Sequence, residues 1–549
     1  MRYGSLACTL ALGLGLLPRG ERARVPWPES GPEARTALAS RDSALHALNR
    51  LAYGPRPGEL ERVSARGVMH WFDQQLEPGH IDDDALKARE RGQPVLGYTR
   101  QALAAIYADA VREQRLAALQ APAMSDSAPP PGPRDRLGRA LAQQYVNLTI
   151  MRAVLSERQL NEVMVDFWTN HFNVLFAKGA DRFLLPDYIE HTIRPRAFSR
   201  FADLLLATAK SPAMLVYPDN WESVAPGSLP PAARRWRTRG VGPAADSLRR
   251  RALARLPRGL NENYARELLE LHTLGVDAGY TQQDVVNVAR IFTGWGIARP
   301  ERGGGFEFHD WAHDYGPKVV MGMRFPAGHG WDEGVRLLRW LADAPATMHH
   351  VSRALCQRFV RDDPPDGCVD DAVAAWQRTG GDIRAVLRAI VHGPDFWAEA
   401  NRGAKVKTPL GFLVSALRIV GAEPDTSVRL PQIVARLGEP LFMHPAPDGY
   451  PDSAGAWVNS GALLDRMNIA IALAADRLPG ARVDLDVVLG QLPDAARLVT
   501  AIDSLLLAGQ MTANTGQVIR DEVGTLPSPA AARALAVGLA LGGPEFQRR

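Results

Sequence analysis

Apolar positions across residues 261–275 recur with helical spacing. At 100° per residue, Leu260, Tyr264, Leu268 and Leu271 fall in one arc, which Ala265, Leu269 and His272 extend on the same side. Opposite them, Glu262, Arg266 and Glu270 form an i, i+4 ladder of alternating sign. Asn261 suits an N-cap and Gly275 the left-handed position after a helix end, so the pattern predicts one helix over this stretch. Asn263 and Glu267 sit at the edge of the apolar arc, at a core boundary. Functional groups are often found there, and so are polar groups that simply satisfy one another.

The same period runs through most of the chain. It predicts a helical hairpin over 44–51 and 59–76, two helices over 136–176 broken near Ser156-Glu157-Arg158, and further helices over 334–342, 346–360, 370–378, 382–391, 409–420 and 457–475. Thr281 to Asp284 reads as a capping box opening another helix that ends near Phe292. Two short strands, 305–309 and 318–323, flank a loop and predict one β-hairpin. The expected fold is mainly α: a multi-helix globular array with one short hairpin. No internal repeat is present. The expected organisation is a signal-like N-terminus over 1–40, a main helical domain over 41–480 and a helical extension over 481–549. The main domain carries a Pro-rich loop at 121–133 and an Arg-rich insertion at 227–258.

Composition narrows the function classes. With 549 residues and 46% hydrophobic content, the chain can bury a large core. A net charge of +4 gives no global argument for nucleic acid, and none is expected as a partner. The insertion holds nine arginines between Arg234 and Arg258, which reads as a solvated excursion or as a surface for an anionic partner. An apolar run over 6–17 is too short to span a bilayer and suits a signal peptide, so a periplasmic or secreted location is expected. No other run is apolar enough for an integral membrane span. Beyond Cys8, Cys356 and Cys368 are too few for a disulfide framework and are not spaced as a zinc site; one pairing between them stays open.

Several long motifs carry a resemblance. They are Asp166 to Phe172, Ser211 to Met214, Asp219-Asn220, Asn261 to Gly275 with Gly279-Tyr280-Thr281, and Thr293-Gly294-Trp295. Further along come His313-Asp314, Phe359-Val360 with Asp363-Pro364-Pro365, Lys407-Thr408-Pro409 and Pro447 to Tyr450. Over about 44–475 the chain resembles a large bacterial family known as domain of unknown function 1800. The resemblance implies export, and a partner resembling the exported alkaline phosphatase and sulfatase superfamily. It implies no reaction, cofactor or catalytic residue.

The chemistry is read from the residues alone. Glu162, Asp166 and Asn170 lie on one stripe of their helix, and His171 lies about 100° away. Two chemistries stay open. One is acid/base hydrolysis of a glycan or ester, with Asp166, His171, Glu267 and Asp314 as catalytic candidates and Asp219, Asn220, Asn263 and Trp295 as substrate-binding candidates. The other is a metal site on His309 and His313 with Asp310 or Asp314. Against both stands a non-catalytic scaffold or accessory partner of the exported sulfatase/phosphatase-like protein. Convergence of Asp166, His171, Asp219, Glu267 and His313 in one concavity separates these readings.

Overall fold

A computed structural model describes residues 32–120, 132–231, 259–299, 304–490, 495–526 and 528–549. The signal-like run, nearly all of the Pro-rich loop and most of the Arg-rich insertion lie outside the described residues. Helix accounts for 64% of the structure, so the fold is mainly α as the periodicity predicts. Among the described residues, no helix is long and apolar enough to cross a membrane.

The helix Gln159–His171 lies near the middle of the core, with Leu160, Met164 and Trp168 fully buried. Its start is fixed by side chains rather than by propensity. Ser156 is extended and ends the preceding helix Pro133–Leu155. Asp83 accepts from the Ser156 hydroxyl (2.7 Å) and the Glu157 N–H (2.9 Å), and Gln75 Oε1 accepts from the Leu160 N–H (3.1 Å). These partners satisfy donors that a helix start leaves orphaned. Downstream, Trp168 packs on Phe172 and Phe201, and Phe201 on Trp376, with ring centroids 5.1–6.0 Å apart.

The later helices, among them Asp332–Ala342, Pro345–Phe359, Asp366–Thr379, Ile383–His392 and Pro409–Ile419, fall within a few residues of their predicted spans. The box at Thr281 forms: its hydroxyl accepts from the Asp284 N–H while the Asp284 carboxylate accepts from the Thr281 N–H. The helix Pro529–Gly542 packs along Ser460–Ala474, and the segment that follows pairs with 405–407 through the bonds between Lys405 and Arg549.

Three expectations change. The stretch 59–76 is two helices, Glu59–Arg66 and Val68–Gln75, because Gly67 leaves helical geometry at φ 93°. The stretch 261–275 is not a continuous α-helix. It is α over Asn263–Glu267 and then widens to a π-helix over Leu268–His272. A 100° wheel therefore misplaces its second half. The predicted strands also do not pair with each other. Phe306–Phe308 pairs with Trp295–Ile297, and Lys318–Val320 pairs with Met323–Phe325 across a Met321-Gly322 turn with both residues at positive φ. A third two-stranded pair joins Glu423–Pro424 to Ala481–Arg482.

Cys356 and Cys368 form a disulfide, Cα atoms 6.2 Å apart, that ties Pro345–Phe359 to Asp366–Thr379. Its loop is short, so the chain-entropy gain is at most about 3 kcal/mol. Replacing both cysteines by serine is expected to lower unfolding free energy by up to that amount in urea titration. Loss of cooperative folding would show a larger role.

Candidate functional site

The stripe Glu162, Asp166, Asn170 forms as predicted, yet each member works in a different place. Asn170 braces a loop: its Nδ2 donates to Tyr450 O (2.8 Å) and its Oδ1 accepts from the Tyr450 N–H (2.7 Å). Gly449 lies so close that a Cβ there would stand 2.4 Å from Asn170 O, at φ +71°, so only glycine fits.

Asp166 meets Arg358, Nη2 to Oδ2 at 3.0 Å. Arg358 also faces Asp452 (3.6 Å), which in turn meets Lys405 (3.1 Å) and Arg549 (3.3 Å). Asp452 takes most of this positive charge and is held below the usual carboxylate range despite its burial. Burial pushes Asp166 up, more than Arg358 takes back. Beside them, burial and then Asp166 lift the Glu439 carboxyl to about 8, against the Leu410 N–H that donates to it at 2.8 Å.

Glu162 belongs to another network. Arg194 grips it with two bonds, 2.5 and 3.0 Å, while Arg152 meets Glu90 and Glu190, each at 2.5 Å. Burial pushes Glu190 up, and Arg152 and Arg194 overcome it, leaving it at about 2. Glu190 lies on a second π-helix, Ile189–Ile193, that delivers Arg194 at its end. Above this network opens a recess of about 370 Å³, lined by Arg152, Arg158, Arg194 and Glu162 among others. Sequence reasoning missed it. Its residues come from four separated stretches with no motif spacing, and only the pair Glu190 and Arg194 hints at it.

His171 packs against His272 and His350, ring centroids 6.3 Å apart in both pairs, and faces His272 O at 3.2 Å. Burial, then the neighbouring imidazoles, holds His171 and His272 down at about 3. His272 is buried and His171 partly so, and both are disfavoured as imidazolium.

The hairpin histidines part company. His313 is buried, with Nδ1 2.8 Å from Thr293 O and Nε2 3.5 Å from Glu333, whose carboxylate also binds Lys318 at 2.6 Å. His309 is partly exposed, with Nδ1 3.9 Å from Glu307 and its ring 6.0 Å from that of Trp311. Among the described residues, no group of three or more His, Cys, Asp or Glu is arranged to hold a metal ion. Asp314 is clamped by Arg290 at 2.8 and 3.2 Å and held below its usual range: burial opposes, and Arg290 with the Gly316 N–H prevails.

The remaining candidates surround the 217–220 turn. Asp219 stands at φ 60° and pairs with Lys178 (2.8 Å). Asn220 is buried and donates to Phe292 O (3.4 Å) and Trp295 O (3.3 Å), so it holds Trp295 in the core. Asn263 is exposed. Glu267 is half-buried, and its carboxylate has no hydrogen bond or ion pair among the described residues. Burial lifts its carboxyl above the usual range, Glu270 adds to this, Arg266 subtracts and Asp448 adds a smaller push. Neither the recess above Glu162 nor a second one beside Glu59 and Trp71 is lined by Asp166, His171, Asp219, Glu267 or His313.

The fold and its interior define a mainly helical protein with extensive buried ion pairing and a recess lined by several arginines. The chain belongs to the family described as protein of unknown function (DUF1800), whose model matches residues 46–548. No curated protein and no solved structure matches it.

The Glu439 shift gives a pH test. Its folded pKa is raised, so its contribution to stability is full below about 4.5 and is lost as pH rises towards about 8. In Glu439→Gln the amide oxygen still accepts from Leu410 and does not titrate. Urea unfolding is expected to show the variant gaining on wild type steadily between those pH values. An unchanged difference across that window would refute the assignment.

Proposed function

We propose that this chain is an exported, non-catalytic scaffold or accessory partner of a sulfatase/phosphatase-like enzyme. The observation that carries the reading is the engagement of the candidate catalytic groups. Asp166 is held by Arg358, Asp314 by Arg290, His313 lies within the Glu333–Lys318 pair, and His171 packs among aromatic and imidazole rings. Removing one partner of such a buried pair leaves the other charge stranded, which gives these groups a structural role. Export is supported by the signal-like run and by the disulfide, which persists in oxidising compartments.

A docking face is available near the hairpins. Trp331 and Tyr315 are exposed, and Lys210 Nζ lies 4.8 Å from the Trp331 ring centre and 5.5 Å from that of Phe306. Clustered exposed aromatics of this kind serve as anchors in protein interfaces.

A hydrolase is the second reading, favoured by Glu267 alone: half-buried, unpaired and shifted towards holding a proton. Two variants separate the readings. Trp331→Ala is expected to keep the fold and weaken capture of the sulfatase/phosphatase-like partner about thirtyfold or more, the scale of an aromatic hot spot. Glu267→Gln is expected to leave stability within about 0.5 kcal/mol and partner capture unchanged. If wild type cleaves a glycan, sulfate ester or phosphate ester and Glu267→Gln does not, the hydrolase reading replaces the scaffold.

A further inference from the structure

The recess above Glu162 is too large and too strongly charged to be a packing defect. At about 370 Å³ it falls in the range of small-ligand sites. Five cations line it: Lys87, Arg152, Arg158, Arg194 and Arg384. Three carboxylates line it too, and each is already occupied. Asp83 accepts from Ser156 and the Glu157 N–H, Glu90 from Arg152, and Glu162 from both terminal nitrogens of Arg194.

The cations are less well matched. Arg158 meets no carboxylate among the described residues; its Nε and Nη2 donate to Ile81 O at 3.1 and 2.8 Å. Lys87 and Arg384 pair with Asp84 and Glu77, whose side chains are 78% and 45% exposed, so water and salt screen both pairs. Arg194 Nε is buried without a hydrogen bond, and Glu190 stands 3.6 Å from it, beyond bonding distance. The recess therefore keeps positive charge and open donor capacity. Phe198, Leu86, Pro78 and Pro195 supply apolar wall beside the guanidinium groups. Arg384 lies 5.6 Å over the Phe198 ring and donates to Leu76 O and Phe198 O at 3.0 and 2.7 Å, which fixes both side chains in the wall.

We propose that this recess binds an organic oxyanion, a phosphate, sulfate or carboxylate carried on a small apolar or ring-shaped body. The anionic group would meet Arg158 and Lys87, since Arg152 and Arg194 are committed to Glu90, Glu190 and Glu162. The body would rest against Phe198 and Leu86. Forked guanidinium donors match planar and tetrahedral oxyanions, and the fixed Arg–Glu pairs hold the walls in place beforehand. The site is separate from Glu267 and from the Trp331 face, so it stands or falls apart from the scaffold reading.

The test is calorimetric titration of the full-length protein at low ionic strength. The probes are phenyl phosphate, phenyl sulfate and benzoate, with inorganic phosphate and sulfate beside them. At least one phenyl compound is expected to bind saturably and more tightly than its bare ion, and the preferred headgroup identifies the chemistry. Arg158→Gln is expected to weaken it about tenfold, the scale of one charge-assisted hydrogen bond. Lys87→Glu alters an exposed side chain, keeps the fold and is expected to weaken binding several-fold or more, so it carries the test if Arg158→Gln does not fold. Added salt weakens binding further. The proposal is overturned if no phenyl probe binds, if the bare ions bind as well as their phenyl counterparts, or if folded variants bind like wild type.

Discussion

Arg358 sits in the interior with its charge intact, and five separated stretches of chain arrange themselves to meet it and its neighbours. Asp166 comes from the central helix, Asp362 from the loop after Pro345–Phe359, and Asp452 from the loop after Tyr450. Lys405 and Arg549 come from two paired strand-like segments. Such a cluster need not add net stability, since desolvation costs about as much as the attraction returns. Its effect is on uniqueness. Any packing that separates one member leaves a buried charge uncompensated, which the chain cannot tolerate. The unequal split of the cations, favouring Asp452 over Asp166, also explains why the two carboxyls shift in opposite directions.

The same logic explains the polar groups that look catalytic in the sequence. A helix buried on nearly all sides must place its unavoidable polar positions against partners. Glu162, Asp166 and Asn170 do so in three directions: towards the recess, the Arg358 cluster and the Tyr450 loop. The i, i+4 spacing identified the stripe correctly. It carried no information on where each side chain ends, because the partners lie 32, 192 and 280 residues away.

Helices with strong caps were legible: Thr281 and Asp382 cap as their residue types require. The π-helix over Leu268–His272 was not: its residue types carry no signal for the widening, which sets His272 beside His171 and Phe172. The strand exchange at the hairpins had a visible cue in Met321-Gly322, a two-residue turn that forces local pairing. The arginine-lined recess had almost none, because its cations arrive singly from distant segments.

The scaffold proposal makes Asp166 a structural ion-pair partner rather than a reacting group, and a double-mutant cycle on Asp166 and Arg358 distinguishes the two roles. Urea unfolding at neutral pH would be measured for Asp166→Asn, Arg358→Met and the double variant. The predicted result is a loss of about 3–5 kcal/mol for Arg358→Met, which strands the carboxylates. The double variant should then lose at least about 1 kcal/mol less than the sum of the singles, the signature of direct coupling. Additive losses would contradict this role and leave Asp166 open as a candidate catalytic group.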